Sequence, residues 1–434
     1  CLSHIKNIWY NFRKNTGEIC KHLIEISYIH YYIRWILMDL IVAKFGGTSV
    51  GNGGRIKKAA ESIAKEYKKG KQVVVVVSAV NKTTDDLIKL ADDAITCNLT
   101  DRQHAEIVGM GERTCVRLFS ATLESLGVKS TYIDPYSDLW PIITDSNYLE
   151  AKIDFDKTNE KVNKLRNLLD QGIVPVVCGF LGKSGNHMTT LGRGGSDITA
   201  FLIGECLNAN EVIIVTDVDG VLSTDPRKIS DAKLLESITV DEMKTLATHG
   251  AQVLHPNALD YKHPKIDAKI INFEHGDLSS KGTKIIGPKD YKPIDLYENP
   301  VASITIVGKS LLNKVGIVST LSNILLENGI NLFKMNPHHN SITVFIDSKD
   351  ANKAYELYHN HVIENEDLSS ISRDKDTAMF SITTPEINEI TLTHLLVEND
   401  IEPVLINYTK TEILLFVEWE FKYEVSKLLN TYKN

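Results

Sequence analysis

Short, continuously apolar runs alternate with helical patterns over residues 39–280 of this 434-residue chain. The apolar runs are "DLIVAKF", "QVVVVVSAV", "IVPVVCGF" and "EVIIVTDV". A strand that is apolar at successive positions is covered on both faces, which is typical of a parallel sheet. Helical spacing falls in residues 55–68, 101–126, 157–171 and 196–208. The pattern predicts an α/β fold with three α/β/α layers, a mostly parallel sheet, and ligands at the carboxyl ends of its strands.

The composition limits the classes of partner that the chain is expected to bind. Charged residues make up 24% of the chain and the net charge is -8, so there is no basic excess of the kind that binds nucleic acid. The six cysteines include no CxxC pair, so neither a disulfide framework nor a zinc site is indicated. We therefore expect a small-molecule partner, no nucleic acid, and a reducing cytoplasm.

Residues 1–37 differ in character from the rest of the chain. They are rich in isoleucine, tyrosine and tryptophan, and their longest apolar piece is interrupted by Glu25, His30 and Arg34. That piece is too short to span a bilayer, and no secretory signal pattern is visible. We expect this extension to lie outside the fold, to contribute no chemistry and to contact no membrane, with the folded part starting at Met38. A targeting or membrane-surface role is the alternative.

A lysine and a glycine-rich loop follow the first apolar run, in the segment "KFGGTSVGNGG" that begins at Lys44. The segment is not a P-loop, because neither Gly-Lys-Ser triplet of the chain has a glycine five positions earlier, and it is not a dinucleotide fingerprint. A lysine at a strand end can bring an ammonium to a phosphate. The N–H groups of Gly46 and Gly47 can approach the same oxygens, because no side chains obstruct them.

The segment "LGRGGSD" (191–197) follows another apolar run and opens a helix. Free N–H groups of the first helical turn, flexible glycines and the guanidinium of Arg193 together favour an anion site. Ser196 and Asp197 lie in that first turn. The alternative is a capped helix after a flexible loop, with Arg193 solvated.

Acidic residues follow the fourth apolar run, in "VTDVDGVLSTDPR" (215–227). Asp217, Asp219 and Asp225 could hold Mg²⁺ directly or through water, as a nucleotide polyphosphate requires. The alternative is a solvated acidic turn.

Two further segments give weaker evidence for a binding site at the strand ends. "SAVNKTTDDL" (78–87) ends a strand in hydroxyl groups, and "GMGERT" (109–114) places Glu112 between glycines, either on the surface or as a partner for a substrate ammonium. Cations, hydroxyls, glycine loops and acids at strand ends of one domain are what phosphoryl transfer by positioning and charge neutralisation needs.

The character of the chain changes after about residue 287, where "GPKDYKP" indicates a linker. Two segments beyond it, 288–372 and 373–434, each predict the order strand, loop, helix, strand, strand. Each repeating pattern covers about 60 to 70 residues and is too short to bury a large core unaided. We therefore expect the two repeats to share an interface or to pair between chains.

The segments "KFGGTSV", "GFLG", "TTLGRGGSD", "VTDVDGV", "TDPR" and "GAQVLHP" resemble the signature segments of aspartate kinases, in the order and spacing of that family. The resemblance covers residues 39–434. It implies an amino-acid-kinase domain at 38–287, followed by a first ACT domain with its linker at 288–372 and a second ACT domain at 373–434. It also implies phosphorylation of the β-carboxylate of L-aspartate with ATP and Mg²⁺, the first step towards lysine, threonine and methionine.

The resemblance also implies a role for each matched residue. Lys44 would contact the transferring phosphoryl group, and Asp197 would orient that lysine. The residues that would hold the aspartate are Thr84, Glu112, Arg193 and Ser196. The residues that would line the nucleotide site are Lys44, Gly46, Gly47, Thr216, Asp217, Leu222, Arg227, Gln252 and Val253. No dedicated set of metal ligands is assigned.

Two of these residues depart from the family pattern, and both lie on the ATP side. Gln252 stands where relatives have a lysine that touches the nucleotide, and Leu222 stands where many have a tyrosine. Two other functions stay open: a kinase for a related amino acid such as glutamate or acetylglutamate, and a non-catalytic amino-acid sensor built on ACT domains.

The ACT resemblance implies a homodimer or larger homo-oligomer that is inhibited by lysine or threonine. Lysine-sensitive relatives offer carboxylates to the effector in the strand after the first ACT helix, yet residues 328–346 contain no acid, and Phe333 stands about where one is expected. A buried ammonium without a partner is unfavourable. The sequence therefore favours threonine, and leaves lysine open if an acid comes from the second repeat or another chain. Repeats that serve only to dimerise are the further alternative.

Overall fold

The computed structural model describes most of the chain. The described residues are 39–96, 98–248, 253–263, 266–287, 293–384, 387–409 and 412–431. The expected extension at 1–37, Gln252 and the segment 288–292 lie outside them. The chain divides into two compact units, Cys1–Lys289 and Asp290–Asn434.

An eight-stranded sheet forms the centre of the first unit. The strands of this unit are β1 Leu40–Phe45, β2 Gln72–Val77, β3 Ser130–Ile133, β4 Val174–Cys178, β5 Leu181–Ser184, β6 His187–Thr190, β7 Glu211–Thr216, β8 Ser237–Thr239, β9 Asp267–Asn272 and β10 Thr283–Ile286. The spatial order is β3-β4-β2-β1-β7-β9-β10-β8, and β5 and β6 form a separate hairpin. All neighbouring pairs of the sheet are parallel except β9 and β10. The predicted α/β class with a mostly parallel sheet is confirmed.

Helices connect these strands. Their bounds are α1 Gly53–Lys68, α2 Thr83–Ala94, α3 Asp101–Val108, α4 Met110–Ser125, α5 Phe155–Val162, α6 Arg166–Asp170, α7 Gly195–Leu207 and α8 Val240–Thr248. The single helix expected at 101–126 is two helices that meet at Gly109. A β-carbon at Gly109 would lie 2.5 Å from the terminal methyl of Met188, so the β5–β6 hairpin packs directly on this junction.

Helix α7 is buried along nearly its whole length. It is apolar on all sides, and such a helix is stable only in the interior of a protein. It packs against β1, β7 and a short 3₁₀ helix, Pro256–Tyr261. Its first turn is therefore fixed at the edge of the sheet where β1 ends.

The second unit contains one sheet to which both repeats contribute. Its strands are β11 Ile294–Leu296, β12 Val301–Gly308, β13 Leu332–Pro337, β14 Ser341–Asp347, β15 Leu368–Arg373, β16 Thr377–Ile382, β17 Pro403–Tyr408 and β18 Ile413–Glu418; its helices are α9 Ile317–Glu327, α10 Ala351–Glu364, α11 Glu389–Glu398 and α12 Lys422–Asn430. The strand order is β13-β14-β12-β16-β18-β17, with β15 beside β12 and β11 beside β16. The repeats join where Val301 of β12 pairs with Thr377 of β16.

Strand β11 lies near the start of the segment 288–372 expected to form the first repeat, but in space it belongs to the second repeat. It pairs antiparallel with β16, and Ile294 packs into the core of the second repeat with Phe380 and Leu415. This placement of β11 results from sheet pairing between segments that are far apart in sequence.

A third apolar cluster lies between the two repeats. Successive residues of a strand point to opposite faces, so Val344 faces the core of the first repeat while Phe345 packs against Phe416 of the second. Phe333 also belongs to this cluster, with its ring 4.8 Å from that of Tyr297. Among the described residues, no helix is long and apolar enough to cross a membrane.

Candidate active site

Lys44 lies near the carboxyl end of the central strand β1. Its side chain is buried, with the residue 8% exposed, because β2 and β7 flank it at Val76 and Ile214. Its Nζ lies 2.6 Å from Oδ1 of Asp197 in the first turn of α7. The contact is an ion pair without hydrogen-bond alignment, and Oδ1 of Asp197 has no hydrogen-bond partner within the described ranges. The carboxylate thus offsets the burial of the ammonium and leaves its N–H donors for another acceptor.

The glycine loop after β1 is held against two neighbouring strand ends. The Gly46 N–H donates to the carbonyl of Val215 at 3.0 Å, and Ser49 Oγ donates to the same carbonyl at 3.1 Å. A β-carbon on Gly47 would lie 3.0 Å from the carbonyl oxygen of Ala79, so the glycine allows a close approach to the loop after β2 that a larger residue would have to widen. The loops after β1, β2 and β7 therefore meet around Lys44.

Glu112 is a carboxylate buried without full compensation. It lies in α4, is 4% exposed, and its Oε1 accepts the N–H of Ala79 at 3.0 Å. Its Oε2 is buried and has no hydrogen-bond partner in the part of the chain that the structure describes. Burial raises the pKa of Glu112 to about 7, against the effect of the backbone hydrogen bonds. A cation placed at Oε2 would stabilise the ionised form.

Thr84 lies next to the turn that carries Glu112. A β-carbon on Gly111 would lie 2.6 Å from Cβ of Ala79 and 3.6 Å from Oγ1 of Thr84. Gly111 thus allows α4 to contact the start of α2. The structure brings the hydroxyl of Thr84 and the carboxylate of Glu112 to the same strand end.

The start of α7 carries the remaining residues expected to bind aspartate. Ser196 is buried, and a β-carbon on Gly179 would lie 2.5 Å from its Oγ, so the end of β4 packs on this hydroxyl. Arg193 is exposed and makes no ion pair or hydrogen bond with any described residue. Its guanidinium is therefore available for two-point contact with a carboxylate.

The residues expected to bind the nucleotide are more exposed. Thr216 Oγ1 donates to Oδ1 of Asp217 at 3.2 Å, directly after the carbonyl of β7 that holds the glycine loop. Arg227 is exposed and its guanidinium forms a two-point pair with Asp225, with Nε 3.0 Å from Oδ1 and Nη2 2.9 Å from Oδ2. Its fork is thus already occupied by an acid of its own loop.

Leu222 and Val253 have apolar side chains, for which the structure shows only packing contacts. Leu222 lines a cavity of about 560 Å³ together with Asp219, Leu234, His275 and other residues. Val253 is half-buried. No hydrogen bond or ion pair joins either residue to the Lys44 group within the described ranges.

This chain is similar in sequence to known proteins over parts of both units. Residues 39–272 match the model of the amino acid kinase family, and residues 297–360 match an ACT domain. An aspartokinase of Geobacillus stearothermophilus is 34% identical over 299 residues, which are 68% of this chain and 71% of that relative. Aspartokinase 2 of Bacillus subtilis is 36% identical over 300 residues, with the same shares of the two chains. The chain belongs to the aspartokinase family.

Solved aspartokinase structures have the same fold. The aspartate kinase from Synechocystis superposes with a TM-score of 0.76 at 26% identity, covering 90% of this chain and 69% of that one. Aspartokinase III of E. coli, solved in complex with lysine and aspartate, gives a TM-score of 0.52 at 22% identity, covering 90% and 99% of the two chains. The predicted family, kinase class and ACT content are confirmed.

Two residues of this aspartokinase fold were missed by sequence reasoning. Phe180, between β4 and β5, has a φ of 66°, which is strained for an aromatic residue, and its carbonyl accepts the N–H of Leu191. His255 lies against Gly194, and its Nδ1 is buried without a hydrogen-bond partner among the described residues. No sequence signal indicates the first, whereas the His-Pro pair before a turn could have drawn attention to the second.

The described residues of this aspartokinase contain no group of three or more His, Cys, Asp or Glu that could hold a metal ion by itself. Mg²⁺ in proteins is commonly held by one or two carboxylates together with substrate phosphates. The exposed carboxylate of Asp217, beside the glycine loop, fits that arrangement.

Proposed function

We propose that this chain transfers the γ-phosphoryl group of ATP to the β-carboxylate of L-aspartate, giving 4-phospho-L-aspartate and ADP. The observation that carries the proposal is the buried pair of Lys44 and Asp197 at the end of the central strand, beside a glycine loop. A fixed cation at that position suits a transferring phosphoryl group. The aspartokinase relatives described above support the choice of substrate.

Recognition of aspartate follows from the charges at the same edge of the sheet. Aspartate carries two carboxylates and an ammonium, so its site needs a cation and an acid. Within the described part of the chain, Oε2 of Glu112 is buried without a partner and can accept the ammonium, and the guanidinium of Arg193 has no partner and can bind a carboxylate. Thr84 and Ser196 add hydroxyl groups on either side. An ammonium at Glu112 removes the cost of its buried charge, which favours amino acids over simple diacids.

The chemical step needs no general base. The β-carboxylate is already ionised at pH 7, so its oxygen attacks the γ-phosphorus directly and the bond to the ADP oxygen breaks, with the electron pair leaving on ADP. The barrier arises from bringing an anion to a polyphosphate. Lys44 lowers it by stabilising charge on the transferred group, and Asp197 keeps Lys44 in place. Mg²⁺ that enters with ATP would further neutralise the phosphates, and the carboxylate of Asp217 would help to hold it.

An ADP-release assay with ATP and Mg²⁺ tests this function. L-aspartate, L-glutamate and N-acetylglutamate are compared at equal concentrations, and hydroxylamine traps the acyl phosphate product. We expect release and trapping with aspartate only. Faster release with glutamate or acetylglutamate would assign the chain to a related kinase, and no release with any of them would favour a non-catalytic sensor.

For the second unit we propose regulation by an end-product amino acid, threonine in preference to lysine. Phe333, which stands about where lysine-sensitive relatives offer a carboxylate, packs in the apolar cluster with Phe345 and Phe416. It supplies no partner for a side-chain ammonium, and an ammonium buried there without a partner would be costly. Threonine has no side-chain charge and avoids that cost. Initial rates with lysine, threonine and both at millimolar levels test the choice. Inhibition by lysine alone would contradict it, and no inhibition by either would leave the repeats as an assembly module.

The remaining parts of the proposal concern context. The product is an activated carboxylate for the synthesis of lysine, threonine and methionine, in the cytoplasm. We propose that the chain works as a homodimer or larger homo-oligomer through its ACT repeats. Light scattering of the full chain, with and without threonine, measures that assembly.

A further inference from the structure

His255 is held firmly by the core of the first unit. It directly precedes the 3₁₀ helix Pro256–Tyr261, which packs against α7. The N–H of Ala258, a fully buried residue, donates to the carbonyl of His255 at 3.1 Å. The position of the histidine is therefore set by packing.

The imidazole of His255 lies directly on Gly194. A β-carbon on Gly194 would overlap Cβ of His255, and would lie 3.0 Å from Cγ and 3.4 Å from Nδ1. Gly194 has a φ of 76°, in the left-handed region, and its carbonyl accepts the N–H of Asp197 at 2.9 Å. The Gly194 turn (residues 193–197) thus joins Arg193, which has no partner among the described residues, to Asp197, the partner of Lys44.

The Nδ1 atom of His255 is buried and has no hydrogen-bond partner within the described part of the chain. An apolar side chain of similar size would fill the same space without burying an unpaired nitrogen, so packing alone gives no reason for a histidine. Buried polar atoms that lack a partner are uncommon, and each requires an explanation such as a functional role.

We propose that His255 is a positioning residue of the aspartate site: its imidazole holds the Gly194 turn so that Arg193 and the first turn of α7 face the substrate, and its Nδ1 gains a hydrogen bond in that site when aspartate is bound. The inference rests on the proposed function. It places the effect of His255 on the amino acid and not on the nucleotide, because the Gly194 turn carries residues assigned to aspartate.

Three variants separate the parts of this proposal. His255→Phe keeps a ring and loses both nitrogens, His255→Ala loses both ring and nitrogens, and His255→Asn can place an amide near the position of Nδ1. His187, an exposed histidine at the start of β6, provides the control His187→Ala. The measurements are kcat, the KM values for aspartate and ATP, and the melting temperature.

We expect His255→Ala and His255→Phe to raise the aspartate KM by at least about tenfold and to change the ATP KM by less than about twofold, since a small displacement of a binding group is costly. The Asn variant should recover part of the loss, and the control should match the wild type. A Phe variant with wild-type aspartate KM would overturn the proposal. So would equal increases in both KM values together with a lower melting temperature, which would indicate a structural role only.

Calorimetric titration of the protein with aspartate measures substrate binding without requiring the reaction, so it tests the role of His255 independently of the proposed function. If the wild type binds aspartate but releases no ADP, the proposed function fails. Weaker aspartate binding by the Ala and Phe variants than by the Asn variant would still support the role of His255, and equal binding by all three and the wild type would refute it. If the Ala variant does not fold, the Phe and Asn variants decide the question.

Discussion

The aspartate half and the nucleotide half of the candidate site hold their charges in different ways. On the aspartate half Glu112 is buried and Arg193 is exposed, while the pair of Lys44 and Asp197, expected to act on the phosphoryl group, is buried. Asp217 and Arg227 are exposed, and Arg227 is paired with an acid of its own loop. Exposed charges are screened by water and salt, whereas buried ones act strongly on whatever enters the site. We therefore expect recognition of the amino acid's ammonium to depend strongly on the buried Glu112, and nucleotide binding to depend less on any single side chain.

The largest expected effect is at the buried Lys44. Lys44→Ala should lower kcat by at least about 100-fold and change the aspartate KM by less than about threefold, because its charge acts on the transferring phosphoryl group. Steady-state rates with both substrates varied measure this. Lys129→Ala, at an exposed lysine without an ion pair among the described residues, is the matched control. An Lys44→Ala variant with kcat within threefold of the wild type would refute the role.

The next effect tests the two-point contact of Arg193. Arg193→Lys should raise the aspartate KM almost as much as Arg193→Ala does, by about 30-fold or more, because an ammonium cannot reproduce the planar fork. The ATP KM of both variants should stay near the wild-type value. A lysine variant with a near-normal aspartate KM would show that Arg193 is not the carboxylate clamp.

The KM for aspartate should depend on pH through Glu112, whereas the KM for ATP should not. Since the pKa of Glu112 is raised to about 7, the carboxyl is increasingly protonated below that pH and loses its attraction for an ammonium. The aspartate KM should rise as the pH falls below about 7, by up to about tenfold per pH unit, while the ATP KM stays level. Glu112→Gln should abolish this dependence. A flat aspartate KM between pH 6 and pH 8 in the wild type would contradict the assignment.

The same carboxyl should also lower stability. Its folded-state pKa lies above the ordinary value of 4.5, so the folded protein retains a proton that the unfolded chain has released between these values. The free energy of unfolding attributable to Glu112 therefore falls as the pH rises from 4.5 to about 7 and is level above that. Glu112→Gln should raise the free energy of unfolding at pH 8 by on the order of 1 kcal/mol, and by less at pH 5. Denaturant titrations at both pH values measure this, and a loss of stability at pH 8 would contradict it.

The smallest effect is expected at Arg227, an exposed residue of the nucleotide half. Arg227→Ala should raise the ATP KM by less than about threefold, because an exposed pair with Asp225 contributes little and solvent screens its charge. The aspartate KM should not change. A rise of tenfold or more in the ATP KM would show that Arg227 exchanges Asp225 for a phosphate, and the contrast between the two halves would then be lost.

Several elements of the first unit could be predicted because their evidence is local. Continuous apolar runs specified β1, β2, β4 and β7, and the glycine loop after β1 specified where Lys44 would lie. The roles of Lys44, Glu112, Arg193 and Asp197 remain predictions, although the structure brings three of them to buried positions at one sheet edge. Contacts between segments that are far apart in the chain could not be predicted from local sequence patterns. Strand β11 pairs with the second repeat, and His255 lies on Gly194, 61 positions earlier in the chain.

The sequence by itself determined the class of sheet, the loops that carry charge, and the family. It did so because periodicity, glycine content and charge act over a few residues. The tertiary structure alone decided which charges are buried and which already have partners. Arg193 and Arg227 are both loop arginines in the sequence, yet one has no partner among the described residues and the other is paired with Asp225. Burial and pairing depend on groups that meet only after folding, and those groups set the electrostatic strength of each side chain.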